Sequence, residues 1–148
     1  MRKTNLLKGV LCGLLFTVVA SSVVFGKTRT VVEEKGLWIT EIKDYLVGTV
    51  GKYEYTVTKK DTNLITTNTS TSSRLYRADA GCYNLTTGRS VAFYADSEIL
   101  AKTGKLGAGI TRNYGVSGYR YVSSARGYNG THETTGIADS YSYTFYQK

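Results

Sequence analysis

His132 is the single histidine of the chain, and Glu133 follows it in a stretch rich in turn-forming residues. A Ser-His-Asp mechanism needs a nucleophile held on a strained turn beside such a base. No Gly-x-Ser-x-Gly elbow is present, and serine is too common here for any one serine to stand out. Cys82 lies far from His132 in the sequence, within a strand-like run. Cysteine is among the most buried residue types, so a buried thiol is expected, with pairing between chains as the alternative. Asp96 and Glu98 are two apart and share a face if they lie on a strand. Glycoside hydrolysis uses two carboxylates, but a pair at this spacing is common by chance. Gly104-Lys105-Leu106-Gly107 lacks the spacing of a phosphate-binding loop. One histidine and two cysteines cannot fill a zinc cluster. The expectation is therefore no catalytic residue, no metal ligand, no cofactor and no enzyme.

Binding chemistry has more to work with. Arg74, Arg77, Arg89, Arg112, Arg120 and Arg126 fall in the same regions as Tyr76, Tyr83, Tyr94, Tyr114, Tyr119, Tyr121 and Tyr128. A guanidinium fork matches carboxylate or phosphate, and a flat amphipathic ring offers a stacking surface. Tyrosine is also simply a good strand residue, and strand alternation puts Tyr119 and Tyr121 on the face opposite Arg120, Val122 and Arg126. The supposed patch then divides between the two sides of one strand.

The N-terminus carries an address. Met1 to Lys8 holds three positive charges and no acid, and Gly9 to Gly26 is uncharged. This is the layout of a secretory signal peptide, with Val24-Phe25-Gly26 supplying small or tolerable residues before a cut at Gly26–Lys27. A cut before Val23 is the rival, and retention as a membrane anchor is the alternative for a run this short. Processing before Lys27 leaves residues 27–148 as a single secreted domain. Losing Arg2, Lys3 and Lys8 takes the net charge from +8 to +5. At 41% hydrophobic and 20% charged residues the chain is too apolar for a disordered tail.

Period-two alternation of Val, Ile, Thr and Tyr dominates the mature region. Gly51–Lys59 is the clearest case: Tyr53, Tyr55 and Val57 share one face, and Lys52, Glu54 and Thr56 the other. Strands are also expected at 37–42, 45–50, 73–83, 90–95, 119–126 and 138–145. Gly88 is expected to supply the positive φ of a turn, and Asn129-Gly130 marks a hairpin. The polar residues 59–63 and 66–73 read as turn or loop. Residues 96–113 read as a long connection between sheets, with a helical turn near 97–102. Tyr83-Asn84 before Thr86-Thr87-Gly88 echoes Tyr128-Asn129 before Thr134-Thr135-Gly136, a weak two-hairpin repeat.

These elements predict an all-β fold: a small antiparallel β-sandwich, or barrel-like domain, of about six to eight short strands after a signal-peptide helix. The function expected is that of a secreted, non-enzymatic extracellular protein. Its partners would be a cell-wall polymer, a polysaccharide or an anionic membrane surface. Nucleic acid ranks below these, because an exported protein meets it only outside the cell. The alternative is a secreted cationic antibacterial (bacteriocin-like) or toxin-like β-protein acting on a cell envelope.

Overall fold

A computed structural model of the chain describes residues 26–35, 41–112 and 116–148. The expected signal segment up to residue 25 lies outside the described residues, as do Trp38 and Tyr114. The strands are β1 (Lys27–Glu34), β2 (Ile42–Val47), β3 (Gly51–Val57), β4 (Asp61–Asn68), β5 (Arg74–Asn84), β6 (Ser90–Leu100), β7 (Lys105–Thr111), β8 (Tyr119–Tyr128) and β9 (Ile137–Gln147). A 3-10 turn at Glu133–Thr135 is the sole helical element among the described residues. None of those residues forms a helix long and apolar enough to cross a membrane.

The strands form two sheets facing across one core, a β-sandwich as the alternation implied. The larger has the order β1-β9-β8-β5-β6, and the smaller β2-β3-β4-β7. β1 runs parallel to β9, and every other ladder among the described strands is antiparallel. The strand count exceeds expectation because β1, absent from the expected strands, and two stretches read as irregular are strands, whereas the strand expected at 45–50 ends at Val47 and gives way to a turn. β4 is rich in Thr and Asn, yet β-branched Thr favours extended backbone, and Thr62, Leu64, Thr66 and Asn68 turn inward and are buried. Asn68 earns its place by hydrogen bonding: its Nδ2 donates to the carbonyls of Ser72 and Leu100. The expected helical turn near 97–102 is replaced by the end of β6, a turn, and the start of β7. β6 keeps its ladder to β5 through Leu100, opposite Arg74, and this cross-strand pairing outweighs the local helical preference.

Tyrosine builds the core. Tyr53, Tyr55, Tyr76, Tyr121, Tyr141 and Tyr143 are buried beside Phe145, Leu64 and Val57. Tyr55 stacks on Tyr143 at 4.8 Å between ring centroids, joining the two sheets, and Tyr121 stacks on Phe145 at 4.7 Å. A phenol can be buried only if its hydroxyl finds a partner. Tyr53 donates to Asp139, Tyr76 to the Val50 carbonyl, Tyr141 to Asp44 and Tyr143 to Glu33.

Asp139 is the one acid on the inward face of β9, in step with Tyr141, Tyr143 and Phe145, and it is fully buried. The turn between β2 and β3 wraps its carboxylate. The amides of Thr49, Val50 and Gly51 donate to it at 2.7, 2.8 and 3.1 Å, and the Tyr53 hydroxyl at 3.0 Å. Gly48 lies so close that a Cβ there would sit 2.5 Å from the carboxyl group. Asp139 thus ties the smaller sheet to the larger, alongside the Tyr76–Val50 and Tyr141–Asp44 hydrogen bonds and the Arg29–Asp44 pair.

The two hairpins that resemble one another in sequence also pair in space, since β8 lies between β5 and β9. Each closes with a glycine in the left-handed region, Gly88 at φ 75° and Gly136 at φ 89°.

Candidate functional site

The larger sheet turns Tyr121, Ser123, Ala125 and Gly127 inward on β8, which leaves Arg120, Val122, Ser124 and Arg126 on its outer face. The register extends this face into rows. Arg120 stands opposite Tyr83 of β5 and Tyr146 of β9. Val122 stands opposite Gly81 and Thr144, and Gly81 opposite Phe93 of β6. Ser124 donates to Asp79 across the β8–β5 ladder at 2.8 Å. Arg126 lies beside Arg77. Arginines stand at the two ends of this face, about 20 Å apart along β8 at the usual rise of a strand; Glu34, paired with Lys148, lies opposite Tyr146 in the first row, and the middle carries Val122, Phe93, hydroxyl-bearing residues and Asp79.

The first row has the geometry of a recognition platform. The Arg120 guanidinium carbon sits 4.6 Å from the centre of the Tyr83 ring, within cation–π range. Tyr83 lies flat because Gly81 beneath it has no side chain; a Cβ at Gly81 would come within 2.8 Å of the ring. The Lys148 ammonium lies 5.8 Å from the Tyr146 ring in the same row. Arg120 makes no ion pair among the described residues, and neither does Arg126. Arg77 is engaged by Glu133 at 2.6 Å.

Other described members of the set lie elsewhere. Tyr76, Tyr121 and Tyr128 are buried in the core. Arg112 lies over Tyr119 at 4.9 Å, and Arg74 is tied to Ser70 and to the Asn129 carbonyl. Tyr94 is exposed on the opposite face of β6, its hydroxyl 3.5 Å from Asp96. The division of Tyr121 and Arg120 between two faces follows the expected alternation. What the sequence could not show was that Tyr83 and Tyr146, on two other strands, flank Arg120 from either side.

A concavity of about 300 Å³ opens between β1 and β2 and includes Arg29, Glu33, Lys35 and Asp44. Its charges are spent on one another. Arg29 holds Asp44 through two hydrogen bonds of 2.5 and 2.8 Å, Tyr141 donates to the same carboxylate, and Lys35 pairs with Glu33 at 3.1 Å. Arg29 is raised above its ordinary pKa, first by its hydrogen bond to Asp44.

The residues weighed for catalysis are dispersed. His132 is exposed beside Thr131, at the end of β5 marked by the Leu75–Gly130 hydrogen bond, whereas Cys82 lies near the other end, opposite Tyr121. Cys82 is buried, as expected. Burial pushes its thiol pKa up, against the opposing pull of Arg112 and Tyr121. A thiol-specific reagent should therefore leave Cys82 unlabelled in the native protein and label it in denaturant, as read by peptide mass spectrometry; rapid native labelling of Cys82 would contradict this placement. Asp96 and Glu98 do share a face of β6, and both are exposed. No group of three His, Cys, Asp or Glu among the described residues is placed to hold a metal. At the expected processing bond, Lys27 is the first residue of β1, and its main-chain N–H donates to Asp139 at 3.2 Å.

No protein-family model matches the chain, and no curated protein sequence matches it. Among solved structures, parts of three enzymes are similar to it. A β-glucuronidase of Bacteroides uniformis is 9% identical with a TM-score of 0.36, over 71% of this chain and 12% of that one. A glycosyl hydrolase family 2 member of Bacteroides cellulosilyticus is 11% identical with a TM-score of 0.37, over 73% and 14%. A β-glucuronidase from glycoside hydrolase family 2 is 10% identical with a TM-score of 0.32, over 72% and 11%. The chain thus spans between 11% and 14% of the length of these enzymes. Likeness at this level carries nothing about what the chain binds or does.

Proposed function

We propose that this chain is an exported, non-enzymatic protein that binds an acidic polysaccharide of a cell surface through the outer face of its larger sheet. The supporting observation is the Arg120 guanidinium stacked on the half-buried Tyr83 ring, with no carboxylate partner among the described residues. A stacked guanidinium is held in place while its N–H groups stay available, so it can accept a carboxylate or phosphate with little loss of side-chain freedom. The flanking tyrosines offer apolar surface and hydroxyls to sugar rings. The net charge of +5 left after processing draws an anionic polymer toward the protein.

Affinity electrophoresis through gels containing acidic or neutral polysaccharide tests this reading. Retardation by the acidic polymer alone, weakening as salt is raised, is expected. Arg120→Ala and Tyr83→Ala should each weaken binding by about 1–2 kcal/mol, on the order of tenfold, without loss of fold. Equal retardation of wild type and both variants would contradict the proposal.

One observation favours the second reading, a cationic antibacterial protein acting on a cell envelope. The edge strand β6 exposes Val91, Phe93 and Ile99, an apolar line that can meet a membrane surface. Dye release from anionic vesicles, abolished by Phe93→Ser with Ile99→Ser, would support that reading over the first.

A further inference from the structure

Three facts meet at one atom. Asp139 is fully buried and collects donors from the β2–β3 turn and from Tyr53. Its Oδ1 also accepts the main-chain N–H of Lys27 at 3.2 Å, where β1 joins the edge of the larger sheet beside β9. That same nitrogen belongs to the bond at which the N-terminal segment is expected to be removed. We propose that cleavage of Gly26–Lys27 places the new α-ammonium of Lys27 on the Asp139 carboxylate, so that processing itself locks β1 and the β2–β3 turn onto the larger sheet. The inference rests on the export reading given above.

The chemistry is a peptide hydrolysis by a signal peptidase. Water adds to the Gly26 carbonyl, the C–N bond breaks, Gly26 leaves as a carboxylate, and the Lys27 nitrogen takes up protons to become an ammonium. The nitrogen need not move, because it is already within hydrogen-bond distance of the carboxylate. What changes is its charge. Before cleavage a neutral amide donates to a buried anion, and afterwards a full positive charge does. Both bonds are charge-assisted through the carboxylate; the ammonium adds a direct attraction between opposite full charges, from which a buried carboxylate otherwise lacking a cationic partner gains the most. The site also suits removal of the preceding residue. Gly26 runs against the Ala138 carbonyl, into which any Cβ at position 26 would collide. A glycine thus satisfies both the small residue wanted before a signal cut and the space available here.

The test starts from the full chain expressed in a secreting host. The intact mass of the exported product is read first, and Lys27 is the expected N-terminus. Its α-amine should then react with an acylating reagent at neutral pH about tenfold more slowly than in the denatured chain, as expected for an ammonium paired with a buried carboxylate; peptide mass spectrometry separates it from lysine Nζ groups. Inserting a second glycine between Gly26 and Lys27 moves the processed amine out of reach while keeping Gly26 before the cut and placing no Cβ against the Ala138 carbonyl. That variant should melt about 5–10 °C lower and regain normal α-amine reactivity. Asp139→Asn should remove the difference between the two chains; if it does not fold, the insertion variant and the acylation rate decide alone. Export with a cut elsewhere, a fully reactive Lys27 amine, or an insertion variant as stable as wild type would each overturn the proposal. Retention of residues 1–26 with no export would instead overturn the export reading beneath it.

Discussion

Asp139→Ala is expected to destabilise the sandwich by about 3–5 kcal/mol, the usual cost of removing one partner from a buried charged network. The alanine leaves the amides of Thr49, Val50 and Gly51 and the Tyr53 hydroxyl without their shared acceptor. Each orphaned buried donor carries a desolvation cost of about 1–3 kcal/mol, partly relieved where water can enter. Since a domain of this kind is stable by only about 5–15 kcal/mol, the variant should unfold at much lower urea or fail to accumulate. The loss should exceed that of Asp44→Ala, because Asp44 is not fully buried and its partner Arg29 is exposed. Urea unfolding followed by tyrosine fluorescence measures both. An Asp139→Ala midpoint close to wild type would mean that the β2–β3 turn holds its shape without the carboxylate.

Alkaline pH should unfold the protein abruptly. Tyr76 is pushed up to about 12, chiefly by burial. Tyr53, Tyr141 and Tyr143 are also raised, again first by burial and then by the carboxylates that accept their hydroxyls. In the unfolded chain these phenols titrate near 10. Above that pH the unfolded state releases protons that the folded state retains, so stability falls as pH rises. Each such phenol removes about 1.4 kcal/mol per pH unit between its unfolded and folded values. The contribution is intact below pH 10, and with four phenols together the loss is steep. Stability should be flat from neutral pH to about 9.5 and collapse by about pH 11–12. Beyond the contribution of exposed tyrosines such as Tyr45 and Tyr94, tyrosinate absorbance should jump in the same step as the loss of tertiary structure. Ionisation of the buried tyrosines while the fold persists would contradict the hydrogen-bonded placement of these hydroxyls.

The parts of the fold legible in the sequence are those where polarity and burial agree. β3, β5, β8 and β9 alternate cleanly, and each buries the face its apolar residues mark. β4 was illegible because its buried face carries Thr62, Thr66 and Asn68, polar residues whose strand preference and internal hydrogen bonds outweigh their polarity. β7 was hidden by Gly107 and Gly109, which read as loop yet lie against β4. Asp139 left a trace: alternation puts it on the same face as Tyr141, Tyr143 and Phe145, where an acid calls for partners. Those partners come from a turn some ninety residues away, which no local pattern predicts. The platform was half legible for a similar reason. Arg120 could be placed outward from its own strand, but Tyr83 and Tyr146 reach it only through the β5-β8-β9 order.

The claim that the outer face of the larger sheet is the binding surface can be read directly by hydroxyl-radical footprinting with saturating acidic polysaccharide. Tyr83, Phe93 and Tyr146 should be protected, while Tyr45, exposed on the smaller sheet, and Tyr94, on the opposite face of β6, should oxidise at their unbound rates. Protection of Tyr45 or Tyr94 with Tyr83 and Tyr146 unchanged would place binding elsewhere and contradict the account.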